Sequence, residues 1–123
     1  MSYDGSVTIN NNIKLFPGFR LCDFKRTSLY SNQDTSLFFW IRDKSIINGM
    51  KFIIGLWFDK DYLRQIQLFC NEGYIINEEQ RKQTHDDFIK RITEKQEFEW
   101  GSIKSTIDNR SLESVIVINY KFK

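Results

Sequence analysis

The chain has 123 residues, of which 41% are hydrophobic and 28% charged, with six Gly and a single Pro, the size and composition of one globular domain over 1–123. Eighteen Lys and Arg against sixteen Asp and Glu leave a net charge of +2, too balanced to hold nucleic acid or an anionic membrane by charge alone. The purest apolar run, Leu37 to Ile41, is five residues long, far short of the ~20 a spanning helix needs, so no membrane partner is expected. Eleven Phe, five Tyr and three Trp enlarge the core, since each ring removes on the order of 150–250 Å² from water. Met1 to Val7 lacks the basic start and apolar stretch of a secretory signal, and the expected location is the cytoplasm. Cys22 and Cys70 have neither a CxxC nor a Cys/His metal spacing and are expected as free thiols.

Val7 to Ile9 and Ile13 to Phe16 alternate apolar and polar around Asn10-Asn11-Asn12, the pattern of a small hairpin. Pro17-Gly18 breaks the chain, and Phe19, Leu21, Cys22 and Phe24 fit a helix of two turns to about Thr27. A polar loop, Ser28 to Ser36, leads to the Phe- and Trp-rich strand Leu37 to Arg42, and Asn48-Gly49 offers the positive φ angles of a tight hairpin turn. From Met50 to Phe58 every even position is apolar. The odd positions mix Lys51 and Gly55 with Ile53 and Trp57, so one face is core and the other partly covered. After Asp59-Lys60-Asp61 the chain returns as Tyr62 to Cys70, with Ile66, Leu68 and Cys70 on one face and Gln65 and Gln67 on the other.

Asn77 followed by Gln80 resembles a capping box, with Glu78 and Glu79 in the first turn where the helix dipole favours acids. The spacing predicts a helix from about Glu78 to Glu94. On it Arg81, His85, Phe88, Ile89 and Ile92 share one stripe, and Glu79, Gln83, Asp86, Asp87, Lys90 and Glu94 face away. Two β-like segments close the chain, Phe98 to Ile107 and Ser114 to Phe122, joined by the turn Asp108-Asn109-Arg110-Ser111. The expected class is α+β: a mainly antiparallel sheet of five or six strands, one long helix packed on a face, and a short N-terminal helix.

His85 is the only histidine, which excludes a two-His metal site and makes it the sole candidate for His-based catalysis. On the apolar stripe, one turn before Phe88 and Ile89, it is better placed to bridge helix and sheet by a hydrogen bond. A Cys/His pair using Cys70 or Cys22 has no support in spacing. The neighbouring carboxylates diverge along the helix or flank a turn, the habit of a solvated surface. GxxxxGK[ST], GxGxxG, HExxH and GxSxG are absent, and no metal or other cofactor is expected. In Ser105 to Ser111, Arg110 could hold a phosphate or carboxylate in its fork; the commoner arrangement has Asp108 accepting backbone N–H groups to close the turn. Phe39-Trp40-Ile41-Arg42 could stack single-stranded bases, although the aromatic and Gly pattern of such modules is missing.

The C-terminal third reads Arg81-Lys82-x-x-His85-Asp86, then Phe98-x-Trp100-Gly101-x-Ile103-x-Ser105, then Asp108-x-Arg110-Ser111, then Ser114-x-Ile116-x-Ile118-x-Tyr120. With Phe16-Pro17-Gly18, this resembles a group of small bacterial proteins that carry an RK-x-x-HD helix, a WG-x-V-x-S strand, a YD-x-RS turn and an SI-x-I-x-Y ending. The match covers roughly 45 residues, and Ile107 and Asn109 depart from the aromatic and the Pro usual in that turn. By that resemblance His85, Trp100, Asp108 and Arg110 are structural motif residues and no catalytic residue is implied. Such proteins look like immunity proteins of contact-dependent growth inhibition or other polymorphic toxin systems. The partner implied is the C-terminal domain of a cognate toxin, a nuclease, occluded at its active site, with no direct contact to nucleic acid. If so, the binding surface is expected on the solvent face of the long helix at Glu79, Gln83, Asp86, Asp87 and Lys90, whose acids suit a basic partner, with Asp59 and Asp61 as a second patch. The alternatives are a small enzyme built on His85 and the Asp108–Ser111 turn, and a nucleic-acid-binding module with its Lys and Arg gathered on one sheet face.

Overall fold

The computed structural model describes residues 3–33 and 37–121, with the backbone alone at Arg42 and Lys44. Among the described residues the elements run β1 (Val7–Ile9), β2 (Ile13–Leu15), α1 (Leu21–Phe24), β3 (Phe38–Ile47), β4 (Met50–Asp59), β5 (Tyr62–Cys70), α2 (Glu78–Ile92), β6 (Glu97–Phe98), β7 (Gly101–Ile107) and β8 (Ser114–Tyr120). The class is α+β, with two helices and every strand pair antiparallel. β1 and β2 form a hairpin; the other six strands form one sheet in the order β3-β4-β5-β8-β7-β6. The short strands β1, β2 and β6 raise the total above the five or six expected.

Strand alternation decides which face is core. Phe52, Ile54, Leu56 and Phe58 of β4, Ile66, Leu68 and Cys70 of β5, and Ile116, Ile118 and Tyr120 of β8 are all buried. Odd-numbered Leu63 joins them because β5 carries one extra residue: Trp57 pairs with Gln65 but Phe58 with Leu63, a bulge that shifts the alternation by one. Each such side chain contributes roughly 1.5–3 kcal/mol by leaving water. The β1–β2 hairpin, α1 and α2 cover this inner face. Phe24 of α1 lies against Phe39 and Phe58 at ring distances of 5.0 and 5.5 Å. Phe88 of α2 meets Phe52 edge-on at 5.0 Å, and α2 packs chiefly on β7 and β8. Asn10, at φ 54, donates its backbone N–H to Ile46 (2.8 Å) and accepts the Ile46 N–H on its side chain (2.9 Å). It thereby satisfies one stretch of the exposed β3 edge.

Four expected boundaries move, the first being the strand expected over Leu37 to Arg42, which runs on as Phe38–Ile47. The N-terminal helix is a single turn, because after Phe24 the chain continues in i→i+3 bonds, Arg26 to Asp23 and Thr27 to Phe24. The long helix stops at Ile92, two residues before Glu94, where Thr93 turns extended (φ −157, ψ 148). The segment Phe98 to Ile107 is not one strand. Glu99-Trp100 turns it into a tight hairpin in which Phe98 pairs with Gly101 and Glu97 with Ser102. Gly101 permits this at φ 148, and a Cβ there would lie 1.7 Å from the Asn119 carbonyl oxygen, so no other residue fits. Phe122, the last apolar position of the closing alternation, lies outside the described residues, as do Asp34 to Ser36 of the expected loop.

Candidate functional site

Three residues of the C-terminal motifs, Arg81, His85 and Ser114, come together with Glu78 and Cys70 beside the first half of α2. His85 is fully buried. Its Nε2 accepts the Cys70 backbone N–H at 2.9 Å and its Nδ1 lies 2.9 Å from the Ser114 hydroxyl. The backbone donor fixes the tautomer: Nε2 carries the lone pair, so Nδ1 carries the proton and donates it to Ser114. Burial, reinforced by the nearby Arg81 guanidinium, pushes His85 down to about 4, since a proton on Nε2 would meet a donor already in place. Glu78 accepts the Ser114 N–H at 2.9 Å and pairs with Arg81, whose Nε donates to the Cys70 carbonyl at 3.0 Å. Partial burial works against the Glu78 carboxylate, but the Ser114 N–H and Arg81 outweigh it and hold the group below its ordinary value. Three side chains of one helix thus fasten it to the ends of β5 and β8.

This arrangement binds structure and offers no chemistry. Cys70 and His85 do come together, which spacing did not suggest, but through the Cys70 backbone; burial raises the thiol's pKa, and the imidazole has no free lone pair to take its proton. The Asp108 turn borders this cluster, lining one cavity with Cys70 and Arg81, but its own hydrogen bonds run within the turn. The Asp108 carboxylate accepts the N–H groups of Arg110 (2.7 Å) and Ser111 (3.2 Å), which holds its pKa low, while Arg110 is exposed. Trp100 donates its indole N–H to the Tyr3 carbonyl at 3.0 Å and stacks on Phe98 at 4.9 Å. Tyr120 donates to the Gly5 carbonyl at 2.5 Å. Together these two rings tie the N-terminal segment to the C-terminal strands.

The acidic face expected on α2 is less one-sided than its proposed residues suggested. Glu79, Gln83, Asp87, Lys90 and Glu94 are exposed, but Asp86 is only half so. Asp86 leans to Lys82 at 2.9 Å; partial burial opposes its ionisation, and the Lys82 ammonium outweighs that and holds the carboxylate below its ordinary value. Gln83 donates to Asp87 at 3.0 Å. With Lys82 and exposed Arg91 counted, four acids on this side of the helix meet three bases, and the segregation that favoured a basic partner largely cancels. Asp59 and Asp61 do not extend this patch. Their turn is held against the start of α1, where Leu21 donates to the Asp61 carbonyl at 2.8 Å and Arg20 bridges to Tyr62.

The largest feature that residue-by-residue reading left unassigned is the outer face of the main sheet, on which no described element packs. Phe38 and Trp40 of β3, Ile53 and Trp57 of β4, and Phe69 of β5 lie on it, and Trp40 and Trp57 are each 41% exposed. The Phe38 and Trp40 rings are 5.1 Å apart, and Trp40 and Phe69 are 5.8 Å apart. Gly55 lets the first two settle onto the sheet, since a Cβ there would come within 2.8 Å of Phe38 and 3.1 Å of Trp40. Beside the rings, Gln67 donates to Gln65 (2.8 Å) and Gln65 to Asn119 (2.9 Å), a chain of uncharged amides across β5 and β8. The sequence signal was present: each of these strands carries large apolar residues opposite its core positions as well, Phe38 and Trp40, Ile53 and Trp57, and Phe69, beyond what a half-solvated sheet needs.

Comparison of the chain with protein-family models, with curated proteins and with solved structures finds no match in any of the three. Among the described residues, no helix is long and apolar enough to cross a membrane, and no cluster of His, Cys, Asp and Glu could hold a metal ion.

Proposed function

We propose that this chain is a partner-binding protein of the immunity type, which neutralises a cognate toxin domain in the bacterial cytoplasm by covering its active site. The reading begins from the motif resemblance of the C-terminal third. The observation that carries it is the outer sheet face, where two half-exposed tryptophans, further apolar side chains and neutral amides stand in a row. Trp and Tyr dominate the residues that carry binding energy, and charge is depleted at interface centres. The scaffold in this reading is a sheet of long strands backed by one long helix, with the helix side devoted to stability and the other left for the partner. The toxin then contacts Trp40 and Trp57 first, and the α2 face at Glu79 and Asp87 belongs at most to the rim.

The enzyme reading has less to stand on, because its one histidine is spent as a structural acceptor. The nucleic-acid reading fares no better: Lys104 on the outer face is paired with Glu97 at 2.7 Å. The test is co-purification of the tagged chain with the C-terminal domain of a large secreted protein encoded beside it. Stable capture that Trp40→Glu abolishes, with the circular dichroism unchanged, is the expected result. Failure to bind or neutralise any such neighbour sinks the proposal, and capture that survives Trp40→Glu but not Asp86→Lys with Asp87→Lys returns the interface to α2.

A further inference from the structure

The outer face is complementary to itself, and we infer that in the absence of another protein it pairs with the same face of a second copy. Three observations lead there. The first is area. Five strands at about 4.8 Å spacing and about 20 Å of paired length give a face of roughly 500 Å², so two copies cover roughly 1,000 Å², the size at which a specific interface begins. Sheets packed face to face sit ≈ 10 Å apart with strands within about 30°, a sandwich whose second layer this molecule does not supply for itself. The second is charge. Lys104 pairs with Glu97 within the molecule, and the side chains of Trp40, Gln67, Gln65 and Asn119 along the middle of the face are neutral; the charges lie towards its margins, at Lys51 and at Arg81, Asp108 and Glu113, which line a cavity beside Trp40, Gln67 and Phe69.

The third is polarity of the amide chain. Among the described residues it runs from Gln67 through Gln65 to Asn119, leaving an acceptor oxygen at the Gln67 end and a donor NH₂ at the Asn119 end. A two-fold axis brings each end against the other end of the partner copy, so both buried amides find the bond that burial demands. A strip of flat rings that would otherwise stay wet is covered in the same step. An interface at the small end of the specific range belongs with transient rather than permanent association. The dimer is therefore displaceable by a tighter partner on the same face.

Sedimentation velocity on the untagged chain from about 5 to 200 µM decides it. The expected result is a concentration-dependent monomer–dimer equilibrium, with tryptophan emission shifting to the blue as the dimer fills. Trp57→Glu is expected to weaken association at least 30-fold, and Gln65→Lys, which places a charge among the amides without disturbing a ring, at least 10-fold; Gln83→Lys on α2 leaves it unchanged. A wild-type chain that stays monomeric at 200 µM overturns the inference, as does a dimer that both Trp57→Glu and Gln65→Lys leave intact. The result is independent of the toxin reading: a monomer that captures a toxin refutes only the dimer, and a dimer that neutralises no toxin refutes only the proposed function.

Discussion

Lowering the pH is the perturbation for which His85 gives the clearest consequence. Its ordinary value is 6.5 and in the folded chain it falls to about 4, so between those values the unfolded chain binds a proton that the folded chain refuses. Stability therefore rises with pH across that window: the contribution is complete above 6.5 and is lost as the pH falls towards 4. The gap is worth about 3 kcal/mol, at 1.36 kcal/mol for each pH unit, and full burial leaves little solvent screening to reduce it. Carboxylates held low, among them Glu78 and Asp86, also lose stability on acidification, but only below their own unfolded values of 4.5 and 3.8. The comparison that isolates the histidine is with His85→Gln, whose amide oxygen can still accept the Cys70 N–H but which does not titrate. Urea unfolding followed by tryptophan fluorescence at half-unit steps from pH 7.5 to 4.5 is expected to give wild type a falling stability and the variant a nearly flat one. Parallel slopes would refute the assignment of Nε2 as a locked acceptor.

Two further substitutions test the packing. Phe88→Ala removes a buried ring set edge-on to Phe52 and is expected to cost about 3–5 kcal/mol in urea unfolding; a near-neutral result would mean that α2 presents a different stripe to the sheet. Gly101→Ala drives a methyl into the Asn119 carbonyl and must break the β7–β8 pairing at its first residue, at a cost of about 3 kcal/mol or more. A variant with wild-type thermal stability would show that Glu99-Trp100 turns in some other way.

The elements that period alone defines were legible. Even-numbered apolar positions from Met50 to Phe58 and the stripe of Arg81, His85, Phe88, Ile89 and Ile92 are local patterns; the structure buries Phe52, Ile54, Leu56, Phe58, His85, Phe88 and Ile89 and leaves Met50, Arg81 and Ile92, at the ends, half-buried. The failures share a cause in tertiary contact. The Phe98–Ile107 segment reads as one strand until Trp100 finds the Tyr3 carbonyl 97 residues away. Alternation past Leu63 slips because β5 holds one residue more than its partner. The acidic face of α2 is segregated in a helical projection of its outward positions alone, but Lys82 reaches Asp86 from the flank of the helix. The outer-face cluster is spread over three strands, so no single window displays it, although each strand carried its share as an apolar residue on the side that needed none.

The two faces of the sheet have separable roles, and this makes the functional tests interpretable. The inner face is closed by α1, α2 and the hairpin, and its side chains leave no surface to spare; substitutions there change stability before anything else. On the outer face, Trp40 and Trp57 give about two fifths of their surface to water, and Trp40 rests on Gly55 beside Phe38 and Phe69, so a polar replacement removes a contact surface while leaving the core layers intact. A loss of binding at Trp40 or Trp57 with unchanged unfolding therefore reports on recognition. The same loss at His85 or Trp100 would report only that α2 or the N-terminal segment had come loose, because those motif residues act by holding the fold together.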